Sequence, residues 1–407
     1  METGEHVPRH LHAGRVPVAS TRRRWALPLL AVGIALTVAA VGIPRSGDRR
    51  SNSATQRQLD TELAADSAAL DICIRASVED RVGLVLVVGL PGVTGADDPL
   101  VDRLVDAGVG GVMLRDDNII SQGQVIDLVG GLRRRLGDHL LVAVDDEGGR
   151  VSSMRALAEP IRSARRLGQG GTGAAHDAGL ALGELAASVG IDWVLAPVAD
   201  LDDGPSDGII GDRSFGSDPV AAAATTSAFA AGLHEAGVAV TAKHFPGHGG
   251  AGDPHAGRTV DLSTLADLEG TDLVPFRALI SSGAEATMVG HVTYPALWGD
   301  LPASLAPGAY DLLRAQGFQG VAITDALGMG AVHARYGFDL APAMALAAGA
   351  DAVLVTQGDQ VLTLRDGLLA AVHAGRLPEA RLDGAVRRVL TLRGQDPDGV
   401  VCRAPTA

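Results

Sequence analysis

Lysine is almost missing from this 407-residue chain: Lys243 stands alone, and the other 33 basic residues are arginine. An ammonium is a compact point charge and a guanidinium a planar fork. A lysine kept against an arginine background suggests a place where the fork does not serve, and a chance survivor is the other reading. Aromatic residues are scarce, at 3%, too few to build a stacking platform for single-stranded nucleic acid. Positive charge is short as well. The 34 basic residues face 48 acidic ones, for a net charge of −14. Residues 1–50 hold eight arginines and three acids, which leaves 26 basic and 45 acidic residues for the rest. A body this acidic neutralises phosphates poorly, which argues against nucleic acid as a partner. What is plentiful is glycine, 53 residues spread along the chain, and apolar residues at 46%. That balance suits an α/β protein with many strand-to-helix turns.

Residues 25–43 (WALPLLAVGIALTVAAVGI) carry no charge over 19 positions, long enough to cross a bilayer. Arg22, Arg23 and Arg24 precede the run, so residues 1–24 are expected in the cytoplasm, with the body outside. The length of the flank favours an uncleaved membrane anchor. A cleaved signal that releases a secreted protein is the alternative, with Ala39 and Ala40 before a cut. No cysteine follows the run directly, which argues against a lipid anchor there. Residues 45–57 are polar and read as a linker. Cys73 and Cys402 bracket the body, and an even count in an exported chain suggests a disulfide between them. Two unrelated thiols are the other reading.

From Val82 onward, short apolar runs alternate with longer Ala/Leu/Arg segments. The spacing predicts strands over 82–89, 109–115, 140–147, 192–200, 238–244, 286–292, 320–325 and 351–356. Helices are predicted over 121–136, 174–189, 219–236, 262–282 and 339–348. Near-continuous apolar strands suit a parallel sheet covered by helices. Eight such units predict a (β/α)₈ barrel of the TIM type. The competing doubly wound sheet usually carries a glycine-rich dinucleotide fingerprint, and none follows the first strand. Barrel enzymes place their chemistry at the C-terminal ends of the strands. Those ends here carry Asp145-Asp146-Glu147, Asp200, Lys243-His244, His291 and Asp325. Helix caps account for Asp, but not for Lys-His.

The segment KHFPGHG (243–249) occurs with VDDEGGRV (144–151), IGDRSFGSDP (210–219), MVGHVTYP (288–295) and ITDALGM (323–329). Together these resemble glycoside hydrolase family 3, and within it the single-domain bacterial β-N-acetylglucosaminidases that act on peptidoglycan fragments. The five motifs span roughly residues 75–395, leaving 396–407 as a tail. The resemblance implies a retaining hydrolase with no cofactor and no metal. Asp325 matches the nucleophile that forms a covalent glycosyl-enzyme. His255 with Asp253 matches an acid/base dyad, unusual because most glycosidases use a second carboxylate there. Asp145, Arg213, Lys243 and His244 match substrate-gripping positions. His248 is read as shaping its loop and His291 as lying near the sugar. A glycan is the expected partner, and the chain is expected to act as a monomer.

Two departures from the pattern stand out. The family loop reads Asp-Ser-His, whereas here it is Asp253-Pro254-His255, and proline changes how a loop moves. An arginine expected after EGGRV is replaced by Ser153, with Arg155 two residues on, which leaves the sugar or aglycone preference open. Competing readings remain. A metal-dependent barrel hydrolase could use His244, His248, His255 and Asp325 as ligands. A wall-binding protein could have lost turnover. A β-glucosidase or a phosphorylase of the same family would keep most of these residues. Should His255 not be the acid/base, Asp200 and Glu147 are the next carboxylates.

Overall fold

The computed structural model describes residues 76–248, 250–395 and 397. The expected anchor at 25–43, the linker at 45–57, Cys73, Cys402 and nearly all of the tail lie outside the described residues. Among the described residues, no helix is long and apolar enough to cross a membrane.

All eight expected strands form, and in the expected order. They are β1 (Leu86–Gly89), β2 (Gly111–Leu114), β3 (Leu141–Val144), β6 (Trp193–Val194), β7 (Ala239–Phe245), β8 (Ala286–Val289), β9 (Val321–Thr324) and β10 (Val353–Val355). From β1 to β9 each pairs in parallel with the next, and β1 also pairs with β10. A parallel bridge from Ile323 to Ala352 joins β9 to the start of β10. The result is an eight-stranded parallel barrel of the (β/α)₈ type, and the doubly wound alternative is set aside.

Alternation along each strand builds two cores from one set of runs. Val87, Met113, Leu141, Ala143, Trp193, Met288, Ile323 and Leu354 point inward and pack on one another. Their neighbours Val88, Val112, Val142, Val194, Val289, Ala322 and Val355 face outward against the helices. Each buried Val, Leu, Ile or Met among them contributes about 1.5–3 kcal/mol. The outer ring comprises α2 (Pro99–Ala107), α3 (Gln122–Leu136), α4 (Ala164–Ser188), α5 (Pro219–Glu235), α7 (Leu273–Ser281), α9 (Pro307–Ala315), α10 (Gly330–Ala348), α11 (Val361–His373) and α12 (Glu379–Leu392). Short α1 (Val78–Leu84), α6 (Leu265–Gly270) and α8 (Pro295–Trp298) complete the helices.

Local chemistry explains where the structure departs from the expected spans. Val82 to Leu84 belong to α1 and not to a strand, because Ser77 caps that helix by accepting from the Asp80 N–H. The expected helix 262–282 is two helices. Pro275 lacks an N–H and is tolerated only in a first turn, so α7 restarts just before it. The segment 174–189 is the second part of α4, which breaks at Gly171 (φ 81°). Likewise 339–348 is the second part of α10, which breaks at Gly337 (φ 63°) with Pro342 just beyond.

The third strand stops at Val144. Asp146–Gly148 (β4) then pairs antiparallel with Val151–Ser152 (β5) as a small hairpin. Gly148 and Gly149 both have positive φ, and a Cβ on either would collide with Ile161, Arg162 or Ser163. Only glycine serves there. Beyond Val194 the fourth strand runs irregularly beside β7, joined by the Val198–Lys243 bridge, and delivers Asp200 fully buried.

Candidate active site

A cavity of about 560 Å³ opens at the C-terminal ends of the strands, within the usual size of a small-molecule site. Asp145, Arg213, Lys243, His244, His255 and Asp325 all line it. Asp253 stands behind His255. The structure therefore brings together every catalytic and substrate-gripping residue expected from the motifs, from four different strand ends of the barrel.

Lys243 is 2% exposed. Its Nζ donates to Asp145 Oδ1 at 2.7 Å and lies 2.6 Å from Glu147 Oε1. Arg213 grips the same Glu147 with two bonds, Nε to Oε2 at 2.7 Å and Nη2 to Oε1 at 2.8 Å. Glu147 thus needs a planar fork on one side and a point charge on the other, which accounts for the lone lysine. Burial by itself would raise the Glu147 carboxyl, but Arg213 and Lys243 outweigh it and hold the group well below the usual carboxylate range. Burial would lower Lys243, yet Asp145 and Glu147 hold it above its ordinary value. Two buried cations and two carboxylates form a balanced and rigid wall.

Asp200 is a second hub. Its Oδ2 lies 2.7 Å from His244 Nδ1, and its Oδ1 accepts from the His248 N–H at 2.8 Å. That contact fixes Nδ1–H on His244 and leaves Nε2 free for the cavity. Motif reading assigned Glu147 and Asp200 only reserve roles as carboxylates. Their position at strand ends was the available signal. Their real partners became visible only in three dimensions.

Asp325 follows β9. Its N–H donates to Val289 O, and its Oδ1 accepts from the Ala326 N–H at 2.7 Å. Burial pushes its carboxyl up, but His244, His291, the Ala326 amide and Lys243 outweigh that and keep it low, hence ionised. His255 faces the same cavity with its side chain 72% exposed. Its Nδ1 lies 2.9 Å from Asp253 Oδ1, which also accepts the His255 N–H at 2.8 Å. The carboxylate orients the ring and leaves Nε2 unencumbered.

His291 does not reach the cavity lining. Its Nδ1 is 2.7 Å from Ser304 Oγ and its Nε2 is 3.0 Å from Ala326 O, so both nitrogens are satisfied. It steadies the turn after Asp325. His248 does line the cavity, and neither of its ring nitrogens has a partner. Ser153 Oγ donates to Asp145 O at 2.7 Å, so the serine in the arginine's place holds the backbone of Asp145. Arg155 sits on the cavity wall, tied to Ser152 O and Arg150 O. Asp146, between Asp145 and Glu147, points away from them. It accepts from Ser152 Oγ, Met154 N–H and Gly148 N–H, and burial pushes it up to about 6. Among the described residues, no three His, Cys, Asp or Glu side chains are grouped to hold a metal ion.

The clamp yields a stability prediction. Glu147→Gln strands Arg213 and Lys243 without their shared counter-charge, which should cost about 3–5 kcal/mol. The folded carboxyl lies below its ordinary value of 4.5. Its contribution is therefore complete above that pH and is lost as the pH falls below it. Thermal melts of both proteins across pH should show a gap that is widest near neutrality and narrows in acid. A gap independent of pH would place the cost elsewhere. Asp146 titrates in both proteins and cancels in the comparison.

The sequence matches the Glycosyl hydrolase family 3 N terminal domain over residues 78–392. Beta-hexosaminidase LpqI of Mycobacterium tuberculosis (strain ATCC 25618 / H37Rv) is 37% identical over 390 residues, covering 91% of this chain and 97% of that one. The Beta-hexosaminidase of Xylella fastidiosa (strain M23) is 38% identical over 313 residues, covering 74% and 91%. Among solved structures, a glycoside hydrolase family 3 beta-N-acetylglucosaminidase from Paenibacillus sp. str. FPU-7 superposes with a TM-score of 0.76 at 31% identity, covering 82% of this chain and 65% of that one. M tuberculosis LpqI superposes with a TM-score of 0.73 at 39% identity, covering 79% and 95%. With the barrel, the strand-end site and a match over most of its length, this chain belongs to glycosyl hydrolase family 3.

Proposed function

We propose that the chain is a retaining exo-β-N-acetylglucosaminidase that removes terminal β-linked N-acetylglucosamine from peptidoglycan fragments or related glycans. The observation that carries this reading is the single cavity that holds Asp325 together with His255, itself oriented by Asp253. Relatives named for hexosaminidase activity support the sugar.

Asp145, Arg213, Lys243 and His244 grip the hydroxyls of the terminal sugar from a preorganised wall. Asp325 attacks the anomeric carbon as His255 gives its proton to the departing oxygen, so the glycosidic bond breaks and a glycosyl-ester forms. His255, now neutral, takes a proton from water. The water oxygen bonds to the anomeric carbon, and Asp325 leaves as carboxylate. Configuration is retained after two inversions. Residues 75–395 form the catalytic domain. Residues 25–43 hold it outside the membrane as a single-pass anchor, with secretion as the alternative, and Cys73 pairs with Cys402. The protein works as a monomer.

Turnover of a chromogenic β-N-acetylglucosaminide tests the reading, with the matching β-glucoside for comparison. The N-acetyl sugar should be preferred, activity should survive excess chelator, and the product with phosphate present should still be free N-acetylglucosamine. A sugar phosphate would make the chain a phosphorylase. Loss with chelator, restored by metal, would favour the metal-dependent reading. Absence of turnover would favour wall binding.

A further inference from the structure

The loop that carries His255 does not stand alone. Residues 253–256 make one bend, closed by the Ala256 N–H donating to Asp253 O at 3.2 Å. Pro254 occupies its second position, where a fixed φ is an advantage and a missing N–H costs nothing. The loop then rests on the start of α10. That helix begins after Met329, which offers no side-chain cap. The first N–H groups of a helix need outside acceptors, and Pro254 O supplies one, accepting from the Ala331 N–H at 2.9 Å. The approach is close: a Cβ on Gly330 would lie 2.6 Å from His255 O. Downstream the loop is pinned to the connection after β8, with Thr293 N–H donating to Thr259 O and Asp261 N–H to Thr293 O, both at 2.9 Å. Gly330 follows Asp325 by only five positions. The same short segment therefore carries the carboxylate at one end and supports the histidine at the other.

We propose that Gly330 and Ala331 form the seat that sets the His255 ring against Asp325, with Pro254 pre-bending the loop to fit it. These are positioning residues, and the proposal rests on His255 being the acid/base. The seat needs two features of this chain at once. The helix must lack its own cap, so that the loop carbonyl is wanted, and its first residue must lack a side chain, so that the carbonyl can approach. The proline departure then stiffens the loop without breaking any hydrogen bond.

Gly330→Ala separates this from a structural role. Alanine is the better helix former, so a residue that merely builds α10 should leave the melting temperature and rates unchanged or improved. As a seat, the new Cβ displaces His255 O and misplaces the ring. Glycosylation of a disaccharide with a poor leaving group should then fall about 10- to 100-fold, while an activated aryl glycoside, which needs little acid help, should change by no more than about threefold. Pro254→Gly, which leaves every donor and acceptor of the seat in place, should show the same selectivity more weakly and guards against a folding defect in the first variant. His255→Ala is measured in parallel. Equal losses on both substrates, or none, beside a leaving-group-selective His255→Ala overturn the seat and leave the acid/base intact. A His255→Ala variant without selectivity overturns the acid/base reading and the seat with it.

Discussion

Asp325→Ala is expected to lose turnover on the order of 10⁵–10⁶-fold, the scale seen when a covalent nucleophile is removed, while the protein stays folded. The backbone contact that places the residue survives, since the Asp325 N–H to Val289 O bond does not involve the side chain. The carboxylate is kept ionised in a buried setting only because His244, His291, the Ala326 amide and Lys243 outweigh the cost of desolvation. Removing it removes that cost together with the attractions that outweigh it, so thermal melts at neutral pH should show a folded variant that is somewhat less stable than the parent. Steady-state rates on an activated aryl N-acetylglucosaminide, with melting curves on the same samples, decide the matter. A slow fluorosugar should label the parent on the peptide that contains Asp325. Wild-type rates in the variant, or a label mapped to another peptide, would end the assignment.

The barrel was legible because its strands are buried on both faces and read as apolar runs, and helices that follow such runs leave few other topologies. The breaks were not. Gly171 and Gly337 divide α4 and α10 through positive φ, and glycines are so numerous here that no single one announces a break. Val82 and Gly83 read as strand because their apolar character hid the Ser77 cap. At the site, the barrel rule was enough to gather the titratable residues at strand ends onto one face. It could not assign partners. Asp145, Asp146 and Glu147 are adjacent acids, yet the alternation of the hairpin sends the first and last to Lys243 and the middle one to Ser152 and Met154. His291 follows one apolar strand and His244 lies near the end of another. One is sealed by Ser304 and Ala326 O, and the other is held by Asp200 with a nitrogen free. Such distinctions depend on contacts across as many as 98 residues of sequence, which no local pattern encodes.

His255→Ala carries the second large effect, and its size should depend on the substrate. In the first chemical step the histidine supplies the proton that lets the aglycone leave. On a natural disaccharide the leaving oxygen is strongly basic, and loss of the acid should cost about 10²–10⁴-fold. On an aryl glycoside with an activated leaving group that help is hardly needed, so glycosylation should proceed nearly as in the parent. The second step still needs a base to deprotonate water, whichever aglycone has left. The glycosyl-enzyme on Asp325 should therefore accumulate, visible as a burst of released phenol followed by slow turnover, and as a mass increase on intact protein. Asp253 holds Nδ1 of the ring without touching the substrate. It stays ionised, chiefly because the His255 N–H, together with the ring itself, stabilises its charge. Asp253→Ala should thus follow the same pattern more mildly. A metal ligand would behave otherwise, with equal losses on both substrates and release of the ion. Rates unchanged on both would move the acid/base role away from His255. Asp200 and Glu147 would then be the carboxylates to test, although both are already committed, to His244 and to the Arg213–Lys243 pair. A carboxylate that must hold two buried cations in place is poorly suited to exchange a proton in every cycle, whereas an exposed imidazole with one nitrogen anchored is free to do so.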